Sequence, residues 1–184
     1  MHSLSEKERK EILELARSAV VEAVSPGKSA REVPPVSLFQ EHRGVFVTLY
    51  VQGKLHGCIG VVQGNEPLGE SLPRCAASAA LHDPRFSPMK PVDLETLEIE
   101  VSLLSTLERI QPEQIEIGKH GLLVEQGMRR GLLLPQVAVE HNLNREDFLK
   151  ETCHKAGLPK EAWASPETRI YGFTCEIVAE AKQP

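Results

Sequence analysis

The sequence has no excess of basic charge: 21 Lys and Arg stand against 26 Asp and Glu, a formal net charge of −5. A general grip on nucleic acid needs a concentrated basic surface, so nucleic acid is disfavoured as the main partner. The one compact basic element, Arg129-Arg130, is too short to follow a phosphate backbone and reads as a solvated hairpin tip. No run approaches the roughly 18 apolar residues that a membrane span requires. The opening MHSLSEKERKEILELARSAV has neither an apolar h-region nor a small-residue cleavage site, so the chain reads as a cytoplasmic protein. The cysteines Cys58, Cys75, Cys153 and Cys175 include no CxxC pair, and in that compartment are most simply reduced thiols. His56, Cys58, Cys75, His82, Cys153 and His154 offer ligand types, but none forms a local pair with zinc spacing. There is no P-loop, no dinucleotide glycine motif after a strand, no HExxH and no GxSxG. Neither a metal nor a cofactor is therefore expected. Internal repeats and low-complexity segments are absent too.

What is present suits one substantial domain, or two small lobes sharing a core: 184 residues, 41% hydrophobic and 26% charged. Ser5 to Val24 reads as a helix, with Ser5 as N-cap and Glu8 completing a capping box. Its apolar stripe is Ile12, Leu15, Ala16, Ala19 and Ala23. Residues 44–52 and 54–62 are β-rich and meet at Gln52-Gly53, a hairpin signal. A helix follows over 67–81, with Leu68, Leu72, Cys75 and Ala79 buried and a kink or late start expected at Pro73. Residues 97–106 alternate as a strand, and 120–138 read as two strands turning around Gly127 to Gly131 before a short helix at Pro135-Gln136. Asn144 caps another helix, which carries Phe148, Leu149 and Cys153 and ends at Gly157; residues 168–180 read as one closing strand. This order is α+β rather than regular βαβ winding.

Two stretches stand out as candidate sites. In LHGCIG (55–60), alternation puts Leu55, Gly57, Ile59 and Val61 on one face and Lys54, His56 and Cys58 on the other. A strand with His and Cys two apart can set an imidazole beside a thiol and help to deprotonate it, and Gly57 and Gly60 admit a close backbone or ligand. The competing reading makes the glycines a bulge and Cys58 a small buried filler. In HDPRF (82–86), Arg85 offers a planar fork for a carboxylate or phosphate. The competing reading pairs Asp83 with a local turn and with Arg85, and makes His82 a packing histidine.

LHGCIGVV, AALHDPRFSPM, LEIEVSLLS, GLLLPQVA, FLKETCHKAGL and RIYGFTCEIVAE, in this order over about residues 10–180, resemble the AMMECR-type domain family. The resemblance implies one α+β domain over 1–184, compact and two-lobed, with a mixed or antiparallel sheet flanked by helices and a cleft between the lobes. It carries the family's motif onto Gly57, Cys58, Ile59 and Gly60, with His56 where relatives carry arginine; a neutral imidazole is a poor substitute in anion binding, which shifts any such role to Arg85. It also carries DPRF onto Asp83, Pro84, Arg85 and Phe86, and LPQVA onto Leu134, Pro135, Gln136, Val137 and Ala138. Leu143 stands where a tryptophan is common.

The resemblance brings no settled reaction. It implies association with Memo-type proteins and radical S-adenosylmethionine enzymes. Two functional readings follow. In the leading one the chain is an accessory module binding a protein or a small anionic ligand through Gly57, Ile59, Gly60, Asp83, Arg85, Phe86, Pro135 and Gln136. In the other it is an enzyme with Cys58 as nucleophile, His56 as base and Arg85 orienting an anionic substrate.

Overall fold

The computed structural model describes residues 4–27 and 31–180, which fall into two units. One comprises the described residues up to Leu104 together with those from Glu176 on, and the other is Ser105–Cys175. The connector residues 28–30 lie outside the described residues.

The first unit begins with α1 (Glu6–Val24). Ser5 Oγ accepts from the Glu8 N–H, while the Glu8 carboxylate accepts from the Ser5 N–H at 2.8 Å, so two free donors of the first turn are satisfied reciprocally. Ile12, Leu15, Ala16 and Val20 are its buried stripe, with Ala19 and Ala23 at the half-buried margin. β1 (Val45–Val51) and β2 (Lys54–Val61) form the expected hairpin. Its turn residues Gln52 and Gly53 have φ of 52° and 70°, the left-handed pair that lets a two-residue turn match the strands' twist.

Then comes α2 (Leu68–Leu81), whose Leu68, Leu72, Cys75 and Ala79 are all buried. The late start expected at Pro73 does not occur: the helix opens at Leu68, behind Pro67 at the N-cap, and runs through Pro73. A proline inside a helix costs about 3 kcal/mol. Each fully buried leucine returns about 1.5–3 kcal/mol, and two of them, Leu68 and Leu72, are anchored N-terminal to Pro73. Burial of that first turn outweighs the lost backbone bond. β3 (Leu97–Leu104) lies antiparallel to β1 on the side away from β2.

The second unit holds β4 (Glu108–Arg109), β5 (Gly121–Gln126), β6 (Arg129–Leu133), α3 (Pro135–Glu140), α4 (Arg145–Lys155) and β7 (Arg169–Phe173). Its sheet runs β4-β7-β5-β6, antiparallel throughout. The β5–β6 turn sits at Gly127-Met128, so Arg129 and Arg130 are not the hairpin tip but open β6. Arg129 donates to the Gly157 carbonyl at 2.8 Å, and Arg130 pairs with Glu125 at 2.8 Å. α4 starts where Asn144 accepts from the Asp147 N–H at 2.9 Å, and it buries Phe148, Leu149 and Cys153 against Leu122, Val124 and Ile170.

The closing strand is two strands. After β7 the chain breaks at Thr174, and β8 (Cys175–Ala179) joins the first unit's sheet, whose order is β2-β1-β3-β8. Ser105 holds the break: its N–H donates to the Thr174 carbonyl and its Oγ accepts from the Thr174 N–H, both at 2.9 Å. The architecture is α+β with antiparallel sheets, as the element order indicates. Among the described residues no helix is long and apolar enough to cross a membrane.

Candidate functional site

The site is built on β2, an edge strand of the first sheet. Val61, Ile59 and Gly57 pair with Val45, Val47 and Leu49 of β1, which are completely buried. This is the core side, and Ile59 and Val61 pack into it. A Cβ on Gly57 would run into the Ala79 carbonyl of α2, so the glycine is what lets helix and strand meet. A Cβ on Gly60 would overlap the Phe46 ring and the Val45 carbonyl.

Between Leu49 and Tyr50 the register slips: Leu49 faces Gly57, but Tyr50 faces Leu55, and His56 is the extra residue of a β-bulge. The slip overturns part of the strand parity. Leu55 leaves the core side and is 43% exposed. Cys58 keeps its place on the opposite side from Ile59, paired with Thr48, whose hydroxyl donates to Cys58 Sγ at 3.3 Å.

The outer edge of β2 at Cys58 is closed by the turn after α2. There the helix ends at His82, which caps it and is exposed rather than packed. Asp83, 4% exposed, accepts from the Cys58 N–H at 2.8 Å through Oδ2. Arg85 Nη2 donates to the Cys58 carbonyl at 3.2 Å. Together the two side chains occupy both backbone groups that a neighbouring strand would otherwise take, which is how an edge strand is kept from pairing with another chain. The pair is also locked to itself: Asp83 Oδ1 accepts from Arg85 N at 3.1 Å and Nε at 3.0 Å, and Oδ2 from Nη2 at 2.7 Å. The Arg85 guanidinium, aided by the Cys58 and Arg85 N–H groups, holds the Asp83 carboxyl far below the usual carboxylate range despite its burial. Asp83 in turn raises the guanidinium, and the nearby Cys58 adds to that.

Beyond this clamp, Arg85 is open, with its side chain 56% exposed. Its guanidinium carbon lies 5.3 Å from the centroid of the Phe86 ring, a cation–π distance. Phe86 is stacked on His56, with centroids 6.2 Å apart and planes 22° apart. The His56 Nε2 atom is buried without a hydrogen-bond partner. No histidine or carboxylate is hydrogen-bonded to Cys58 Sγ among the described residues.

The first unit thus brings together His56, Gly57, Cys58, Asp83, Arg85 and Phe86, with Ile59 and Gly60 on the same strand. Pro135 and Gln136 belong to the second unit, in the first turn of α3, where Pro135 is buried and Gln136 Oε1 is buried without a partner. Thr48 was not singled out from the sequence. The two-residue turn alone sets Val47 opposite Cys58; only the bulge at His56 brings Thr48 there. Cys75 and Cys153 are core thiols, both pushed up by burial.

Comparison with known proteins agrees with the sequence resemblance. A model of the AMMECR1 family matches residues 13–178. A protein of Methanothermobacter thermautotrophicus is 43% identical over 187 residues, covering 96% of each chain. One from Methanopyrus kandleri is 44% identical over 179 residues, 92% of this chain and 86% of that one. The crystal structure of an uncharacterized protein from Pyrococcus horikoshii superposes with a TM-score of 0.85 at 40% identity, covering 93% of this chain and 90% of that one. By the family match and these relatives, the chain belongs to the AMMECR1 family.

Proposed function

We propose that the protein is a binding module without catalysis of its own, whose recognition surface is the Arg85–Phe86 face with His56 stacked against it and Cys58 alongside. One observation carries this reading: the groups an enzyme would use are already engaged in holding the fold. The Asp83 carboxylate is buried and accepts from Cys58 and Arg85, leaving it unfit to exchange protons near neutrality. His56 stacks on Phe86 instead of meeting the thiol. What faces outward is a guanidinium beside an aromatic ring, and arginine is enriched at the energetic centres of protein interfaces.

The cation suits an anionic group, either on a small ligand or on a protein surface. We propose Memo-type and radical S-adenosylmethionine proteins as the protein partners. Pull-down with the purified candidates tests this. Phe86→Ala, with its melting temperature checked, should weaken binding by about tenfold or more, and Cys58→Ala should leave it unchanged. Wild-type binding by a folded Phe86→Ala protein would overturn the assignment.

A second reading keeps Cys58 as a nucleophile. The hydroxyl of Thr48 donates to the sulfur at 3.3 Å, and the Arg85 guanidinium lies beside it. This reading requires native Cys58 to be alkylated faster than an unstructured cysteine at neutral pH; a slower rate removes its basis.

A further inference from the structure

The second unit contains a cavity of about 440 Å³ that the Cys58 site does not use. That volume is within the range of small-molecule pockets, roughly 300–1,000 Å³. One wall is apolar: Leu133 of β6, Val137 of α3 and Leu143 of the connection to α4. The Leu143 N–H donates to the Ala138 carbonyl at 2.8 Å, which fixes this wall where the two helices meet. The remaining lining groups are polar: His141, and Glu151, His154 and Lys155 of α4.

Their charges do not cancel. The Glu151 carboxylate is bound by Lys160 Nζ at 2.8 Å and approached by His154 Nδ1 at 3.7 Å, and Lys160 holds it below the usual carboxylate range. Lys155 is exposed and has no ion pair among the described residues. An ammonium is therefore left over in a lining that also holds the imidazoles of His141 and His154. The adjoining helix end adds little opposing charge, because the Thr152, Cys153 and His154 carbonyls already accept from the N–H groups of Ala156, Gly157 and Leu158. Among the described residues no three His, Cys, Asp or Glu side chains are placed to hold a metal ion, which directs attention to an organic ligand.

We propose that this cavity binds a small monocarboxylate with an apolar body, the body against Leu133, Val137 and Leu143 and the carboxylate at Lys155 with His141 and His154. A single free ammonium balances one negative charge, and the apolar wall calls for an apolar body beside it. The site lies in the second unit and does not depend on the Arg85–Phe86 reading.

The test is a titration of the full chain with octanoate, phenylbutyrate and phenylbutyramide, followed through backbone amide resonances. At least one carboxylate should shift the Val137, His141, Leu143 and His154 amides saturably, with phenylbutyramide about tenfold weaker or more. Lys155→Gln, a surface change, should weaken the carboxylates about tenfold without altering the melting temperature. Val137→Trp should fill the cavity and abolish the shifts. Three outcomes would each overturn the proposal: no saturable shift with either carboxylate, equal affinity for the amide, or unchanged binding in a folded Val137→Trp protein.

Discussion

Replacing Asp83 by asparagine keeps the shape and removes the charge, which makes it the sharpest probe of the clamp on β2. The carboxylate accepts four hydrogen bonds: Cys58 N and Arg85 Nη2 on one oxygen, Arg85 N and Nε on the other. An asparagine has one acceptor oxygen, so in either amide orientation its NH2 group faces two N–H donors. Hydrogen bonds to charged groups contribute about 1.5–3 kcal/mol each, but the Arg85 share must be discounted because its side chain is 56% exposed. The remainder, dominated by the Cys58 N–H and the buried oxygen, comes to about 2–3 kcal/mol. For a chain of this size that lowers the melting temperature by roughly 5–10 °C, measurable by circular dichroism. The pH dependence has a definite sign. The folded carboxyl titrates below the unfolded value of about 3.9, so its stabilisation is complete above that pH and is lost as pH falls through the folded value. The gap between wild type and Asp83→Asn should therefore be constant near neutrality and narrow as pH drops below about 4. A variant within about 0.5 kcal/mol of wild type at neutral pH, or a gap that widens in acid, would refute the reasoning.

Two further outcomes follow from the same geometry. Gly57→Ala sets a methyl against the Ala79 carbonyl, where only backbone movement relieves it, and should cost about 1–3 kcal/mol in urea unfolding; an unchanged midpoint would contradict the close contact of α2 with β2. Alkylation of the native protein followed by peptide mapping should modify Cys58 and Cys175, which are half-buried, and spare Cys75 and Cys153 until urea unfolds the chain, because burial both blocks these two thiols and disfavours their thiolates.

The elements with local signals were legible in the sequence. Ser5 and Glu8 mark the start of α1, Gln52-Gly53 the hairpin, and Asn144 and Gly157 the limits of α4, because caps and tight turns are decided by neighbouring residues. The late start offered at Pro73 fails for a tertiary reason: the local penalty is smaller than the burial it would forfeit. The division of 168–180 into two strands carried no local mark, since Ile170 and Val178 continue a β-rich run across it and the break is set by Ser105, far away in sequence. At the site, alternation placed Cys58 on the side away from the core, and the competing turn reading of HDPRF anticipated the Asp83–Arg85 pair. Hidden were the bulge at His56, which brings Thr48 opposite the thiol, and the reach of Asp83 across 25 residues to the Cys58 N–H. The second depends on where α2 delivers its C-terminal turn on the sheet, and no window of sequence contains that.

Central to this account is that Asp83 and Arg85 serve the edge of β2, leaving recognition to the surface they carry. Native-state hydrogen exchange of the Cys58 amide tests it most directly. On an edge strand that proton would exchange at rates typical of exposed backbone unless the Asp83 carboxylate holds it. The account predicts strong protection in wild type, falling in Asp83→Asn by about tenfold or more beyond the loss that global destabilisation brings to the amides of β1. Rapid exchange at Cys58 in the wild-type protein, or protection that survives Asp83→Asn, would contradict it.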